Sequence, residues 1–458
     1  MALKADYLVV GAGAMGMAFI DVLISETDAT VLLVDRHHQP GGHWNDAYPF
    51  VRLHQPSSFY GVNSRKLGDD KIDSAGWNEG LYELATNNEV CAYFDHVLHQ
   101  QLLSSGRMEY FPMCNYVGDG QFVSSLSGKV HDVAAEKVVD ATYMNVTVPS
   151  MRAPAFPVDP MAKCVPPNDL PKLSTLASHY TVIGAGKTGM DSCLFLLAQG
   201  VDPDRISWIM PRDSWLLDRA NWQAHELFNE SIVRSFSRTL DAIAESESVA
   251  DLFRRIEGCG QLLRIDDEIE PTMYRCATVT RAELAQLKRI KDIIRLGRVN
   301  RIETDRIMLD GGEIEAVPST LYVDCTADGL EKRDAKPVFL DECITLQSLR
   351  TCQQVFSAAF IGHVESVYSD NTTKNELCTP VPHPDTDVDF LITMLATLSN
   401  GARWAEDAEL QAWLFNSRLD GFTPADTPTP DEVQALGQLA VTGAIAADRL
   451  QKLLATAQ

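Results

Sequence analysis

The chain has 458 residues, 45% of them hydrophobic, and its 39 basic and 63 acidic residues leave a net charge of −24. This length predicts two or three domains with large cores. The acidic surplus argues against a nucleic-acid partner, because phosphate binding depends on accumulated Lys and Arg. No stretch approaches the roughly 20 consecutive apolar residues that cross a bilayer, so we expect no membrane span.

The start of the chain and its cysteines predict a cytoplasmic protein. An apolar strand pattern begins almost at once after Met1, which leaves no room for a signal peptide. The ten cysteines show no Cys-x-x-Cys pair and no zinc-type spacing, so we expect them to be reduced and mostly packed in the interior. The missing close pair argues against the disulfide reductases. We predict no metal site, since no cluster of ligating residues stands out.

The first predicted unit is a strand, a glycine turn and a helix. Residues 7–10 form a short apolar run that is typical of a buried parallel strand, and helical spacing runs from residue 14 to about 25. Between them lies a Gly-x-Gly-x-x-Gly turn, which lets a pyrophosphate approach the helix N-terminus. Residues 31–34 predict the next strand, which ends at an acid that can accept hydrogen bonds from ribose hydroxyls. The candidate binding residues here are Gly11, Gly13, Ala14, Met15, Gly16, Asp35 and Arg36.

A second motif follows at fixed spacing. Five residues separate Asp35 from Gly41-Gly42-His43-Trp44, and a Tyr48-Pro49 stretch comes next. This pattern resembles the class B flavoprotein monooxygenases, the flavin-containing and Baeyer–Villiger monooxygenases. The resemblance implies that the first turn holds FAD and that Gly42, His43 and Trp44 run along it. It also implies that Arg52, His54 and Gln55 approach the isoalloxazine ring, where they are the candidate catalytic residues.

A connector is predicted after residue 150. Residues 137–142 resemble the strand that precedes the crossing into the nicotinamide domain of two-nucleotide flavoproteins, which implies a place for Thr142 beside the FAD. Tyr143 stands where that family usually has Gly. The Pro-rich tract that follows favours an extended segment without helices or inner strands. We therefore assign residues 1–150 to an FAD domain and 151–178 to a linker.

The second unit repeats the layout with one change. Residues 180–183 predict a strand, 187 to about 199 a helix, and 206–210 the next strand. The acid of the first unit is replaced by Arg212, which can grip a 2′-phosphate, so the predicted cofactor is NADPH. We expect Lys187 and Arg219 to add positive potential. The turn is also similar to the NADPH turn of Baeyer–Villiger enzymes. The candidate residues are Gly184, Gly186, Lys187, Thr188, Gly189 and Arg212.

The rest of the chain predicts an insert and a return to the first domain. Residues 222–292 exceed what a nucleotide unit needs and show helical patterning, with a capping box at Thr280 and Glu283. We interpret them as a helical insert of an NADPH domain spanning 179–317, which lines the substrate entrance or makes a subunit contact. The FAD domain would resume over 318–458. There the resemblance implies that Gln347 lies near the flavin, and residues 431–454 predict an amphipathic helix packed on the body of the protein.

The sequence thus predicts an α/β fold with two Rossmann-like dinucleotide-binding domains, the NADPH domain being inserted in the FAD domain, together with a helical insert. The leading functional hypothesis is an FAD- and NADPH-dependent monooxygenase that uses O2 and a flavin hydroperoxide on a small organic substrate. The Phe-x-Gly-x-x-x-His-x-x-x-aromatic signature of the resembled family is missing. An NADPH-dependent reductase or dehydrogenase with an organic or protein acceptor is the alternative. A non-catalytic flavin carrier has little use for a second nucleotide site. A homo-oligomer is compatible with the sequence.

Overall fold

The computed structural model describes residues 2–223, 226–327, 329–421 and 430–457. The elements up to residue 165 are β1 (Leu3–Val10), α1 (Ala14–Glu26), β2 (Val31–Val34), β3 (Gly61–Val62), β4 (Arg65–Lys66), α2 (Asn87–Val97), β5 (Met108–Phe111), β6 (Cys114–Gly118), β7 (Gln121–Ser124), β8 (Val130–Asp140) and β9 (Lys163–Val165). Those that follow, up to Asp324, are β10 (His179–Ile183), α3 (Lys187–Ala198), β11 (Ile206–Ile209), β12 (Ser214–Asp218), α4 (Asn229–Glu245), α5 (Val249–Gly258), β13 (Leu262–Leu263), β14 (Met273–Val279), α6 (Arg281–Leu287), β15 (Asp292–Ile294), β16 (Val299–Ile302), β17 (Arg306–Leu309), β18 (Gly312–Glu315) and β19 (Thr320–Asp324). The last are β20 (Phe339–Leu340), β21 (Cys343–Thr345), α7 (Gln354–Val367), α8 (Asn371–Leu377), α9 (Asp387–Trp404), α10 (Ala408–Asn416) and α11 (Pro430–Ala457).

The first sheet is built from both ends of the chain. Its strand order is β20-β21-β8-β1-β2-β5, with β7 and β6 continuing antiparallel from β8. The strands from β21 to β5 run parallel. Helices α1 and α7 pack together so closely that a Cβ on Gly362 would lie 3.0 Å from the carbonyl oxygen of Phe19. The first predicted strand, turn and helix are confirmed, because β1, α1 and β2 cover the residues expected for them.

The second sheet has the order β15-β11-β10-β19-β9, all parallel. Two boundaries predicted from sequence are corrected here. Strand β19 pairs with β10 along its whole length, so it belongs to this sheet and not to the resuming first unit expected from residue 318. The connector expected over 151–178 contributes β9 as the outer strand of the same sheet. The second unit is therefore nested inside the first and extends from the connector to β19.

A third layer joins the insert to the C-terminal helices. The insert expected to be helical does contain α4, α5 and α6, but it also contains β13 and β14, which flank β12 in a small sheet. The Thr280 side chain and Glu283 form the predicted capping box at the start of α6. Buried side chains from the insert and from α9 and α11 share one apolar cluster, including Phe253, Phe390 and Leu450. The C-terminal helix thus packs on the insert.

A disulfide contradicts the expectation of ten reduced cysteines. Cys276 in β14 is bonded to Cys352, which lies just before α7, with 6.7 Å between their Cα atoms. The other eight cysteines are free. The two partners are 76 residues apart in sequence, so no local spacing of cysteines predicts the pair.

Candidate dinucleotide sites

The first glycine turn is a surface made of backbone alone. Gly11 has φ +107°, and a Cβ on Gly16 would lie 2.0 Å from the Gly11 carbonyl oxygen, so both positions require glycine. Gly42 passes so close that its own Cβ would lie 2.9 Å from the Cα of Gly13. Gly13 begins α1 without a side-chain cap. The free N–H groups of a helix N-terminus favour an anion, so the residues fit a pyrophosphate at this turn.

Asp35 is in the expected place at the end of β2, but protein donors reach both of its oxygens. The backbone N–H of Ala12 donates to Oδ2 at 2.6 Å, and the N–H of His37 donates to Oδ1 at 2.7 Å. The His37 ring lies between Asp35 and Asp46, 3.0 Å and 2.8 Å from their oxygens. Its hydrogen bond to Asp35 raises the pKa of His37 against the effect of burial. Asp35 therefore braces the glycine turn, while neighbouring Arg36 is exposed.

Of the residues that follow Gly42, Trp44 is buried and His43 and Asn45 are partly buried. The first residues of this segment, Gly42–Asn45, form a single helical turn. The indole N–H of Trp44 donates to the hydroxyl of Tyr60 at 2.7 Å. Burial lowers the pKa of His43 to about 4, so its ring is neutral near neutral pH. In the helix that follows the first turn, Met15 is buried and Ala14 partly buried.

The three residues expected near the flavin ring, Arg52, His54 and Gln55, lie in different surroundings. Arg52 is exposed, and its guanidinium lies 3.4 Å from the carbonyl of Leu84. Burial, and then the charges of Lys187 and Arg219, lower the pKa of His54 to about 3. Gln55 lines a cavity of ≈ 60 Å³ together with Cys352 and the first residues of α7. The structure thus places His54 between the two units, Gln55 within the first unit beside α7, and Arg52 at the surface.

Thr142 and Gln347, the remaining residues expected near the FAD, have different surroundings. Thr142 follows β8 and packs on the glycine turn, where its Cγ2 lies 2.9 Å from the position a Cβ on Gly11 would take. Its hydroxyl donates to Asp140 at 2.7 Å. Gln347 is buried, and its amide binds the backbone of Lys336 at 2.8 Å and 3.2 Å. Gln347 therefore holds a loop, and the helix N-terminus that could face a ligand comes later, at Gln354.

The second glycine turn has the same construction but is open in front. Gly184 has φ +121°, and a Cβ on Gly189 would lie 2.1 Å from the Gly184 carbonyl oxygen. A Cβ on Gly186 would meet nothing within 4 Å. Gly186 begins α3 without a side-chain cap. Backbone donors therefore face free space, with Lys187 and Thr188 in the first turn of the helix, and this arrangement fits a dinucleotide phosphate.

Contacts around α3 join the two units. Lys187 forms an ion pair with Asp191 one helical turn later. The hydroxyl of Tyr48, from the first unit, donates to the other oxygen of Asp191 at 2.7 Å. Phe50 stacks on Phe195 with 4.2 Å between ring centroids. The Tyr48-Pro49 stretch of the first unit thus docks on the helix of the second glycine turn.

Three cations meet one carboxylate beside the second turn. Arg212, Arg275 and Lys332 lie 2.9 Å, 2.5 Å and 2.6 Å from oxygens of Asp385. Burial alone would raise the pKa of Asp385, but hydrogen bonds from these three groups hold it well below its usual range. We call these four residues the Asp385 cluster. The cluster carries net positive charge in an acidic protein. The sequence indicated only Arg212, because the other members come from distant stretches of the chain.

Arg219 is not a member of the Asp385 cluster, but together with burial and Lys187 its positive charge lowers the pKa of His54. Its side chain is only 1% exposed. It forms an ion pair with Glu283 at 2.9 Å, and its Nε donates to the carbonyl of His54 at 2.9 Å. Arg219 also fastens the His54 segment to the insert.

A cavity of ≈ 740 Å³ lies elsewhere, along the first sheet between β8, β21 and the β6–β7 turn. Asp119, Asp140, Asp341 and Glu342 are among its lining residues. Because this lining repels phosphates, we place the dinucleotide sites at the glycine turns. No described helix is long and apolar enough to cross a membrane. Within the same residues, no three His, Cys, Asp or Glu side chains group as metal ligands.

Comparison with solved structures defines the class of fold. The open crystal structure of cyclohexanone monooxygenase superimposes with a TM-score of 0.51 at 14% identity, over 98% of both chains. The oxidized steroid monooxygenase bound to NADP gives a TM-score of 0.50 at 13% identity, over 99% of this chain and 98% of that one. Residues 9–54 match the NAD(P)-binding Rossmann-like domain family. The fold is therefore that of the class B flavoprotein monooxygenases, as the sequence motifs predicted.

Sequence relatives define the family more closely. The uncharacterized protein Rv2000 of Mycobacterium tuberculosis (strain ATCC 25618 / H37Rv) is 57% identical over 419 residues, which cover 91% of this chain and 78% of that protein. The uncharacterized protein Mb2023 of Mycobacterium bovis matches to the same extent. The chain belongs to the family of these mycobacterial proteins.

Proposed function

We propose that the protein is an FAD- and NADPH-dependent flavoprotein monooxygenase. FAD occupies the first glycine turn and NADPH the second, and one oxygen atom of O2 passes to a heteroatom or carbonyl of a small organic substrate. The observation that carries the proposal is the docking of Tyr48 on Asp191, which fastens the unit of the first uncapped glycine turn to the helix that follows the second. Two nucleotides bound at these turns would lie on either side of the Tyr48–Asp191 contact.

The two turns differ in the charge beside them, and this supports the cofactor assignment. The second turn has the Asp385 cluster, in which Arg212 follows β11 at the place where a Rossmann unit meets the 2′-position of its nucleotide. A 2′-phosphate would compete with Asp385 for the same three cations. The first turn has Asp35 instead, and a carboxylate suits a nucleotide that lacks this phosphate. The steroid monooxygenase with the same fold binds NADP.

When bound, the flavin would supply the redox chemistry, and the protein would position it and exclude water. His54 carries no charge near neutral pH, since burial and two neighbouring cations oppose its protonation. His54 therefore offers a neutral, partly buried side chain between the two units. Such a side chain suits hydride transfer between two nucleotides better than a charged, hydrated one would.

The alternative is an NADPH-dependent reductase that hands electrons to an organic or protein acceptor. The observation that favours it is the missing Phe-x-Gly-x-x-x-His signature between the two turns, where the connector instead supplies the outer strand β9. Both functions share the FAD and NADPH sites and differ in how the reduced flavin meets oxygen.

One experiment separates them. The purified protein, loaded with FAD, is reduced by NADPH without oxygen, and oxygen is then admitted while the absorbance is followed. A monooxygenase gives a delay with a distinct spectrum before the oxidised flavin returns. A direct return supports the reductase, and a protein that takes up no FAD overturns both.

A further inference from the structure

The Cys276–Cys352 disulfide lies between the two places that define the nucleotide cleft. Cys276 directly follows Arg275, which belongs to the Asp385 cluster. Cys352 lines the same cavity as Gln55, the residue expected near the flavin ring, and directly precedes the residue that caps α7. The bond therefore forms part of the wall between the proposed 2′-phosphate site and the proposed ring site.

The backbone on both sides of the bond is held in an unfavourable conformation. Cys276 and Cys352 both have φ +56°, a left-handed conformation that residues other than glycine rarely adopt. The register between β12 and β14 shifts between Tyr274 and Thr278, so Cys276 lies at an irregularity of the strand pairing. Bulges and left-handed residues are enriched beside active sites, where they aim a side chain.

Neighbouring hydrogen bonds fix both cysteines in place. The hydroxyl of Thr278 donates to the Cys276 carbonyl at 3.1 Å. The backbone N–H of Thr351 donates to the hydroxyl of Thr397 at 3.2 Å. These contacts hold the backbone beside each cysteine independently of the disulfide.

The disulfide differs in exposure from four of the eight free cysteines, which are buried: Cys114, Cys193, Cys325 and Cys378. Both of its residues are only partly buried. Cys193 and Cys378 are buried, and burial raises the pKa of each thiol well above its usual value. Thiols of that kind are poor nucleophiles. The disulfide is accessible, whereas these buried thiols are not.

We propose that Cys276–Cys352 is a redox-active disulfide that accepts two electrons from NADPH. The proposal rests on the proposed function, since the hydride passes by way of the bound flavin. The hydride of NADPH supplies two electrons and one proton, and solvent supplies a second proton. The S–S bond breaks, two S–H bonds form, and NADPH becomes NADP+. The reaction also removes the covalent link between β14 and the loop before α7.

Thiol counting tests this directly. The FAD-loaded protein is kept free of oxygen, treated with NADPH, denatured, and titrated with a thiol reagent, while the flavin absorbance is recorded before denaturation. We expect eight thiols before NADPH and all ten after it. Ten thiols before NADPH, or eight after the flavin has been bleached, overturn the inference and leave the proposed function standing. A flavin that NADPH does not bleach overturns both, and the absorbance record identifies this case.

Two variants make the count specific. Cys352→Ser leaves Cys276 free, so its thiol count should be the same before and after NADPH. Cys259→Ser removes a free, partly buried cysteine of the insert and should keep the rise of two thiols. Bleaching of the flavin by NADPH, recorded before denaturation, shows that each variant is folded and loaded with FAD, and a rise of two in Cys352→Ser would contradict the assignment.

Discussion

Tyr48 and Asp191 meet across the boundary between the two nucleotide units, with 2.7 Å between the tyrosine hydroxyl and the carboxylate. Asp191 also pairs with Lys187, so one carboxylate ties the first unit to the helix of the second glycine turn. Because Lys187 acts electrostatically on His54, the same group of residues reaches the segment expected at the flavin ring.

Tyr48→Phe should slow flavin reduction by NADPH without unfolding the protein. The change removes one hydrogen bond, which is worth about 1 kcal/mol of folding free energy, and keeps the ring that packs 4.7 Å from Phe50. Stopped-flow absorbance measures the reduction rate, and urea unfolding measures stability. Tyr116→Phe, in the antiparallel extension of the first sheet, is the matched control. Equal rates for the two variants would show that the contact does not position the turns.

Two alanine substitutions in the second turn should separate binding from folding. Gly186→Ala adds a Cβ to open space at φ −77°, so stability should not change, but the methyl group blocks a pyrophosphate. Gly189→Ala places a Cβ 2.1 Å from a backbone oxygen and should cost about 1–3 kcal/mol or more of stability. Thermal unfolding and NADPH titration give the two readouts. Normal NADPH affinity in Gly186→Ala would contradict a phosphate at this turn.

The Asp385 cluster should distinguish NADPH from NADH. Arg212→Ala and Arg275→Ala each remove a charge-assisted hydrogen bond, worth about 1.5–3 kcal/mol, which corresponds to a KM for NADPH raised roughly 10- to 150-fold. The KM for NADH should change little. Arg301→Ala, an exposed arginine of the second unit, should change neither KM. Equal effects on both nucleotides would remove the 2′-phosphate assignment.

His37 should make stability depend on pH. Its folded pKa is raised, chiefly by the hydrogen bond to Asp35. The stabilisation is therefore fully present below the unfolded pKa of about 6.5 and is lost as the pH rises through the folded value. His37→Gln should lower the free energy of unfolding more at pH 6 than at pH 9 in urea titrations. The exposed neighbour His38 offers the control His38→Gln. The same loss at both pH values would mean that His37 does not pair as an imidazolium.

The sequence predicted the two βαβ units well because each is local. A strand, a glycine turn and a helix lie within about 30 residues, and the glycines at 16 and 189 are required by contacts inside their own turns. The Lys187–Asp191 pair could also be predicted from sequence, since residues at i and i+4 share a helix face. The partners of Asp385 could not be predicted, because they come from three separate stretches that meet only in the folded protein.

The errors have the same physical origin. In the sequence, β9 looks like part of a connector and β19 like the strand that returns to the first unit. Their sheet is decided by hydrogen bonds between distant segments, since β19 pairs with β10 and β9 pairs with β19. The place of Gln347 near the flavin stays a prediction, and what the sequence did not show is that its amide binds the backbone of Lys336. The disulfide depends on an irregularity of the strand pairing at Cys276, which composition does not show.

The nesting of one sheet inside the other sets an order of completion during synthesis. The second sheet has all its strands once Asp324 has left the ribosome, whereas the first still waits for β21 to cover residues 138–140 of β8. Until then that part of β8 is an open edge that another chain could pair with. The nascent protein is therefore most exposed to misassembly in the interval between β19 and β21, and a chaperone that binds extended strands would protect it there.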